Sequence, residues 1–85
     1  MDSNEKQEIE KRLKRAGDFQ RIFSGTEGEE VLSDLDVFAG YKNDTFDSDP
    51  YMSAYNAGRR SVVIFIHNVL EADIKEARKQ LKKEI

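Results

Sequence analysis

The segment PYMSAYNAGRRSVVIFIHNVL at residues 50–70 constrains the fold of this chain most. Its apolar positions recur every three or four residues, which is the spacing of one helical face. The main series contains Tyr51, Tyr55, Gly58, Val62, Phe65 and Val69. Val63, Ile66 and Leu70 widen this stripe until the helix is apolar round much of its circumference. Pro50 suits the first turn, because its missing N–H is not needed there. The segment therefore predicts a central core helix.

Two apolar series earlier in the chain predict two more helices. The first helix, near 4–24, carries Ile9, Leu13, Ala16, Phe19 and Phe23. The second helix, near 27–39, carries Val31, Leu32, Leu35, Phe38 and Ala39. Asp2 or Ser3 is expected to cap the first helix, and Gly40 supplies a left-handed stop at the end of the second.

Local polar patterns predict how the connections are built. Thr26 and Glu29 form a capping-box pattern at the start of the second helix. The polar stretch YKNDTFDSD predicts a loop, because its Asn, Asp, Ser and Thr side chains compete for backbone hydrogen bonds. We expect Phe46 to anchor this loop inward and Asp47 or Asp49 to cap the third helix.

These patterns together predict an all-α fold, a small three-helix domain with a long C-terminal helix. The expected core contains Leu35, Phe38, Phe46, Tyr55, Val62, Phe65, Ile66 and Val69. Replacing Phe65 by alanine should cost about 3–5 kcal/mol if the ring is fully buried. Gly58 lies within the apolar stripe, so we expect it at a close contact with a neighbouring helix.

The last fifteen residues continue the apolar spacing without a helix breaker. The continued stripe contains Val63, Ile66, Leu70, Ile74, Ala77, Leu81 and Ile85. Its spacing repeats every eleven residues, which a nearly straight helix keeps on one side. One helix from 50 to about 84 is therefore compatible with the sequence, and we expect a helical tail over 71–85. Either the first helix covers the tail stripe, or a second copy or another protein does; we favour the latter.

Composition excludes several classes of protein. The chain has 85 residues, enough for one domain, 1–85. It has no cysteine, and its net charge of −3 argues against nucleic-acid binding. The longest apolar run, VVIFI, is too short to cross a bilayer, and the first residues lack the apolar core of a signal peptide. We therefore expect a soluble protein with no membrane contact.

No catalytic or cofactor-binding pattern is present. His67 is the only histidine, and the phosphate-binding glycine motifs are missing. Asp44, Asp47 and Asp49 lack the spacing, the central glycine and the terminal glutamate of a calcium loop. We expect no enzyme activity, no cofactor and no metal.

Arg59 and Arg60 are the chemically distinctive residues of the central helix. Adjacent helical residues point about 100 degrees apart, so both arginines cannot face the core. In one interpretation, an arginine lays its stem over the core and pairs with Asp34, Asp36 or an aspartate of the loop. In the other, the outward arginine contacts a protein partner or a phosphate.

Two stretches of the chain carry a family resemblance. FQRIFSGTEGEEVLSDLDVFAG and TFDSDPYMSAYNAGRRSVVIFI resemble a family of small tailed-phage proteins whose prototype comes from a Bordetella phage, the Bbp-nineteen-like family. The family's features are a phenylalanine-rich start, a glycine-plus-leucine helix that EGEEVLSDL resembles, a loop with threonine and phenylalanine, which are the adjacent Thr45 and Phe46 here, and an N-x-GRRS-V segment. The resemblance covers about residues 18–70. It implies a helical protein similar to those encoded among phage structural genes, with no established reaction and no catalytic residues.

Two classes of function follow. The first is a phage-encoded protein-interaction module, virion-associated or related to assembly, that binds itself or another phage protein. The alternative is a small phage inhibitor that binds a host enzyme or defence complex. The expected location is the host cytoplasm or the virion. The candidate interaction residues are Arg59, Arg60, Ile74, Ala77, Leu81 and Ile85.

Overall fold

The computed structural model describes residues 2–72, 79 and 82, and these residues contain three α-helices and no strand. The helices are α1 (Ser3–Phe23), α2 (Thr26–Ala39) and α3 (Pro50–Leu70). Each helix contacts both of the others. The all-α prediction is confirmed, and the three helices begin and end within one residue of the predicted bounds.

The helix ends follow most of the predicted capping pattern. Asp2 caps α1 by accepting a hydrogen bond from the Glu5 amide at 2.8 Å. Asp49 caps α3 in the same way, accepting from the Tyr51 amide at 2.9 Å. Gly40 ends α2 in the left-handed conformation, with φ of 71°. A side chain is disfavoured at such a φ, so glycine fits this turn.

The predicted capping box at the start of α2 is wrong. Gly25, at φ of 89°, is the N-cap residue, and no side chain caps the helix. The Glu29 amide donates to the Gly25 carbonyl at 2.9 Å. Thr26 is already the first helical residue, because the tight two-residue connection after α1 brings Gly25 to the cap position.

The core is built mainly from small and branched side chains of all three helices. The buried hydrophobic residues are Ile9, Ala16, Leu32, Ala39, Val63, Ile66 and Val69. Of the predicted core, Ile66 and Val69 are confirmed. Leu35, Phe38, Phe46, Tyr55, Val62 and Phe65 are exposed, so their assignment to the core is wrong.

The error has a physical reason. Because α3 is apolar on several sides, spacing alone does not select the inward face. The face around Val63 and Ile66 is inward, and small residues such as Ala16 and Ala39 lie in the core with it. Phe65 is 48% exposed and is only partly covered, since its ring meets Phe19 edge-on at 5.9 Å.

The two helical glycines in α2 and α3 have opposite surroundings. A Cβ added at Gly28 would lie 2.3 Å from the Ile22 carbonyl oxygen and 2.8 Å from backbone atoms of Phe23. Gly28 therefore permits the close approach of α2 to the end of α1. A Cβ added at Gly58 would meet nothing within 4 Å. Among the described residues, the predicted close helix contact at Gly58 is wrong.

The third helix ends at Leu70, as the 50–70 segment predicts, and it does not continue unbroken to about 84, which the spacing also allowed. The Glu71 amide donates to the His67 carbonyl at 2.9 Å, and the Ala72 amide donates to the Val69 carbonyl at 3.2 Å. The second bond spans only three residues, which tightens the last turn.

The predicted tail interface lies outside the described residues. It comprises Ile74, Ala77, Leu81 and Ile85. Beyond Ala72, the described residues Lys79 and Lys82 are helical. No helix in the described part of the chain is long and apolar enough to cross a membrane.

Candidate functional site

Polar contacts hold α2 and α3 together along one line, which we call the seam and which contains Asp36, Tyr41, Arg60 and His67. Arg60 makes the first of these contacts. The Arg60 Nε donates to the Tyr41 carbonyl oxygen at 2.7 Å, and the guanidinium lies 5.8 Å from the centre of the Tyr41 ring. The last turn of α2 carries no basic residue of its own. Arg60 therefore brings positive charge to a helix C-terminus, where the helix dipole favours it.

His67 lies about two turns further along α3 and also contacts α2. Its Nε2 lies 2.8 and 3.0 Å from the two carboxylate oxygens of Asp36 on α2. The imidazole also stacks on the Tyr41 ring, with the ring centres 4.2 Å apart and the planes 6° from parallel. Arg60 and His67 are seven residues apart and lie on one face of α3. Arg60 and His67 of the third helix therefore both contact Tyr41.

Arg59 has a different environment. Its Nη2 donates to the Asn56 side-chain oxygen at 3.4 Å, and its guanidinium lies 5.4 Å from the centre of the Tyr55 ring. Its Nε is buried without a hydrogen-bond partner. Arg59 and Arg60 are both half-buried.

The predicted pairing of an arginine with Asp34, Asp36 or a loop aspartate is wrong for the described residues. Asp36 is instead engaged by His67, and Arg60 binds a backbone carbonyl. The interaction role expected of Arg59 and Arg60 stays a prediction.

The loop between α2 and α3 is fixed by side chains of α3. The Asn56 amide donates to the Thr45 carbonyl at 3.4 Å. The Ser53 hydroxyl donates to the Asp47 carbonyl at 2.8 Å, and it lies 2.7 Å from the Asp47 amide. The loop that contains Thr45 and the N-x-GRR segment, which are separate in sequence, therefore meet in the fold. Phe46 is nevertheless 78% exposed, so its predicted anchoring role is wrong.

The outward side of α3 carries no charge. Its exposed residues are Pro50, Tyr51, Met52, Ala54, Tyr55, Ala57, Gly58, Ser61, Val62, Phe65 and Asn68. We call this set the outer face of α3. In a chain with 36% charged residues, a surface helix without an exposed charge is unusual. Its tyrosine, phenylalanine and methionine side chains are types enriched at protein interfaces.

The second helix has an apolar strip of another kind. Val31, Leu35 and Phe38 lie on one side of α2 and are 52%, 39% and 72% exposed. We call these three residues the α2 strip. The exposed acidic residues of the same helix are Glu27, Glu29, Glu30 and Asp34, and the helix has no basic residue. Acidic side chains therefore lie beside the α2 strip, whereas the exposed residues of α3 are uncharged.

These features define the chain as a small all-helical protein with polar contacts along one seam and apolar surface on the outside. The family model described as Bbp19-like phage protein matches residues 19–83, and the chain belongs to this family. It is therefore a phage protein. The match extends past the 18–70 expected from the resemblance and includes most of the last fifteen residues. Comparison with curated proteins and with solved structures gives no match.

Sequence reasoning missed two features of this site. The Asp36–His67 contact joins residues 31 positions apart, and nothing in their local sequence pairs them. The outer face of α3 was visible in principle, because Tyr51, Tyr55, Val62 and Phe65 share one helical face on which the exposed residues are uncharged. The signal was interpreted as a core stripe, since core and interface stripes have the same spacing.

Proposed function

We propose that this chain is a non-catalytic protein-binding module of a bacteriophage, associated with the virion or acting in its assembly. The observation that carries this proposal is the distribution of apolar side chains. Eleven large hydrophobic residues are exposed in the described part of the chain, whereas seven hydrophobic residues are buried. Exposed apolar patches on small proteins mark surfaces that bind other molecules.

The α2 strip supports binding to a different protein. Three exposed carboxylates, of Glu27, Glu30 and Asp34, lie beside the strip on a helix without a basic residue. Two copies of this surface would bring acidic groups together, and such like-charge contacts are unfavourable. A phage protein with an apolar groove and a basic rim is the complementary partner. The family membership supports a phage protein as that partner.

The half-buried polar groups of the seam are used to hold the fold. Arg60 binds a backbone carbonyl, and the Asp36 carboxylate and the His67 imidazole contact each other. This use of the polar groups favours a binding role over a chemical one. The proposal therefore includes no substrate, cofactor or metal.

Capture from phage-infected cells tests the proposal. The full chain, carrying an affinity tag, should retain another phage protein, and mass spectrometry should find the chain in purified particles or in assembly intermediates. Phe38→Glu places a charge in the α2 strip and should abolish the capture. Ser33→Glu is the matched control, since Ser33 is also exposed on α2 but lies outside the strip.

Three results would contradict the proposal. The first is a chain that is absent from particles and intermediates and binds no phage protein. The second is equal capture of the phage protein by the Phe38→Glu and Ser33→Glu variants. The third is capture of a host enzyme or defence protein alone, which would favour the inhibitor alternative.

A further inference from the structure

The outer face of α3 is arranged nearly symmetrically about Gly58. Tyr51 lies seven residues before this glycine and Phe65 lies seven residues after it. Tyr55 precedes it by three residues and Val62 follows it by four. All four large side chains are exposed, by 86%, 48%, 58% and 60% for Tyr51, Phe65, Tyr55 and Val62. A helix that turns end over end about Gly58 therefore presents nearly the same pattern of large and small residues.

Gly58 has no explanation within the described part of its own chain. Glycine inside a helix is less stable than alanine by about 1 kcal/mol. Its φ is not positive, and no other part of the described chain lies within 4 Å of an added Cβ. Gly28 shows the contrasting case, where close backbone atoms exclude a side chain. The missing side chain at Gly58 leaves room on the outside of the molecule, between Tyr55 and Val62.

We infer that the outer face of α3 binds a second copy of this chain. The two α3 helices pack antiparallel and cross at Gly58, so that their backbones approach where both side chains are missing. Tyr51 then lies opposite Phe65 of the partner subunit, and Tyr55 lies opposite Val62 of the partner subunit. Such a two-fold contact is isologous, because each copy uses the same surface.

Charge favours a second copy as the occupant. A two-fold contact places a surface against itself, so any cluster of like charges on it would repel its own copy. The exposed residues of α3 carry no charge, and the two guanidinium groups beside them, of Arg15 and Arg59, each lie 5.4 Å from the centre of an aromatic ring, of Phe65 and Tyr55 respectively. The exposed positions of α2 instead carry four acids. Of these two apolar surfaces, the outer face of α3 is the one suited to self-association. The inference goes beyond the proposed function, which concerns the α2 strip and a different partner.

Charge substitution with reciprocal rescue tests both the contact and its direction. Sedimentation equilibrium of the full chain should give a dimer. Tyr55→Glu alone and Val62→Lys alone should each weaken self-association by about a hundredfold or more, because each places a charged side chain against an apolar side chain of the partner and removes it from water. The double variant Tyr55→Glu, Val62→Lys should recover to within about tenfold of the natural chain, since each glutamate then faces the lysine of the partner.

Two controls accompany the measurement. Val37→Lys changes another exposed valine, on α2, and should leave the dimer intact. Circular dichroism should show the same helical signal for every variant, since the substituted side chains are more than half exposed.

Several results would overturn the inference. They are a natural chain that sediments as a monomer, a dimer that both single variants leave unchanged, and a double variant no stronger than the singles. Unfolding of a single variant would also overturn it, because the outer face would then be packed within one chain. The capture experiment with Phe38→Glu tests the proposed function, and its result does not depend on whether the chain forms a dimer.

Discussion

The two faces of α3 divide polar and apolar residues in an unexpected way. The inner face carries Arg60 and His67 beside the buried Val63 and Ile66. The outer face carries as many large apolar side chains as the inner one, and its exposed residues are uncharged. Burial in this protein therefore does not follow hydrophobicity alone. The polar residues of the inner face have partners on α2 and in the loop, and these contacts fix which side of α3 faces inward.

The comparison explains how a small domain can keep apolar surface outside without losing a defined structure. Apolar packing on a helix that is apolar all round is compatible with several rotations about its axis. A hydrogen bond from Arg60 to the Tyr41 carbonyl and the Asp36–His67 contact are satisfied in one rotation only. The inner face thus specifies the fold, and the outer face is left for a partner.

The largest expected difference between the faces is at two adjacent valines. Val63 is 1% exposed and Val62 is 60% exposed. Val63→Asp should cost about 3–5 kcal/mol of unfolding free energy, because it buries an unpaired charge. Val62→Asp should change the unfolding free energy of the monomer by less than about 0.5 kcal/mol. Urea denaturation at low protein concentration measures both. Equal losses at the two positions would remove the distinction between the faces.

The polar contacts of the inner face provide an intermediate effect. Arg60→Ala should lower the unfolding free energy by about 1–3 kcal/mol, since it leaves the part-buried Tyr41 carbonyl without its donor. Arg59→Ala is the neighbouring control. Among the described residues its hydrogen bond is a long one of 3.4 Å to Asn56, so its loss should be smaller. Thermal melts of the two variants would rank them, and a larger loss at Arg59 would contradict our account of the seam.

The smallest expected effect is a gain in stability on the outer face. Gly58→Ala should stabilise the monomer by about 1 kcal/mol, because alanine is the better helix former and nothing lies near the added methyl group. Gly28→Ala should destabilise it, since the methyl group would meet backbone atoms of α1. Chemical denaturation of dilute protein compares the two. A destabilised Gly58→Ala monomer would mean that this part of the outer face is packed within the chain.

The sequence predicted the helices and most of their ends, but not which side of α3 is buried. Asp2, Gly40 and Asp49 were correctly assigned because capping depends on local backbone geometry. Tyr55, Val62 and Phe65 were assigned to the core because a stripe that binds a partner has the same spacing as a core stripe. The end of α3 at Leu70 agrees with the predicted 50–70 segment, although the apolar spacing also allowed a helix to about 84, since Glu71 and Ala72 are not helix breakers.

The candidate site was harder to predict than the fold. Its seam depends on Asp36, Tyr41, Arg60 and His67, which converge only after α2 and α3 have packed. Arg60 has the same local sequence whether it pairs with an aspartate or with a carbonyl. Only the tertiary structure distinguishes these cases, because both partners lie on another element. The family resemblance was recovered because it depends on sequence order alone.

The short connections between the helices have a consequence for the timing of assembly. Residues 24–25 join α1 to α2, and residues 40–49 join α2 to α3, so helices that follow each other in the chain also touch. Chains with such local contacts fold in microseconds to milliseconds. Folding is therefore complete long before a newly made copy meets another molecule. The rate at which its surfaces become occupied is then set by how fast the infected cell accumulates the protein, since association depends on concentration and folding does not.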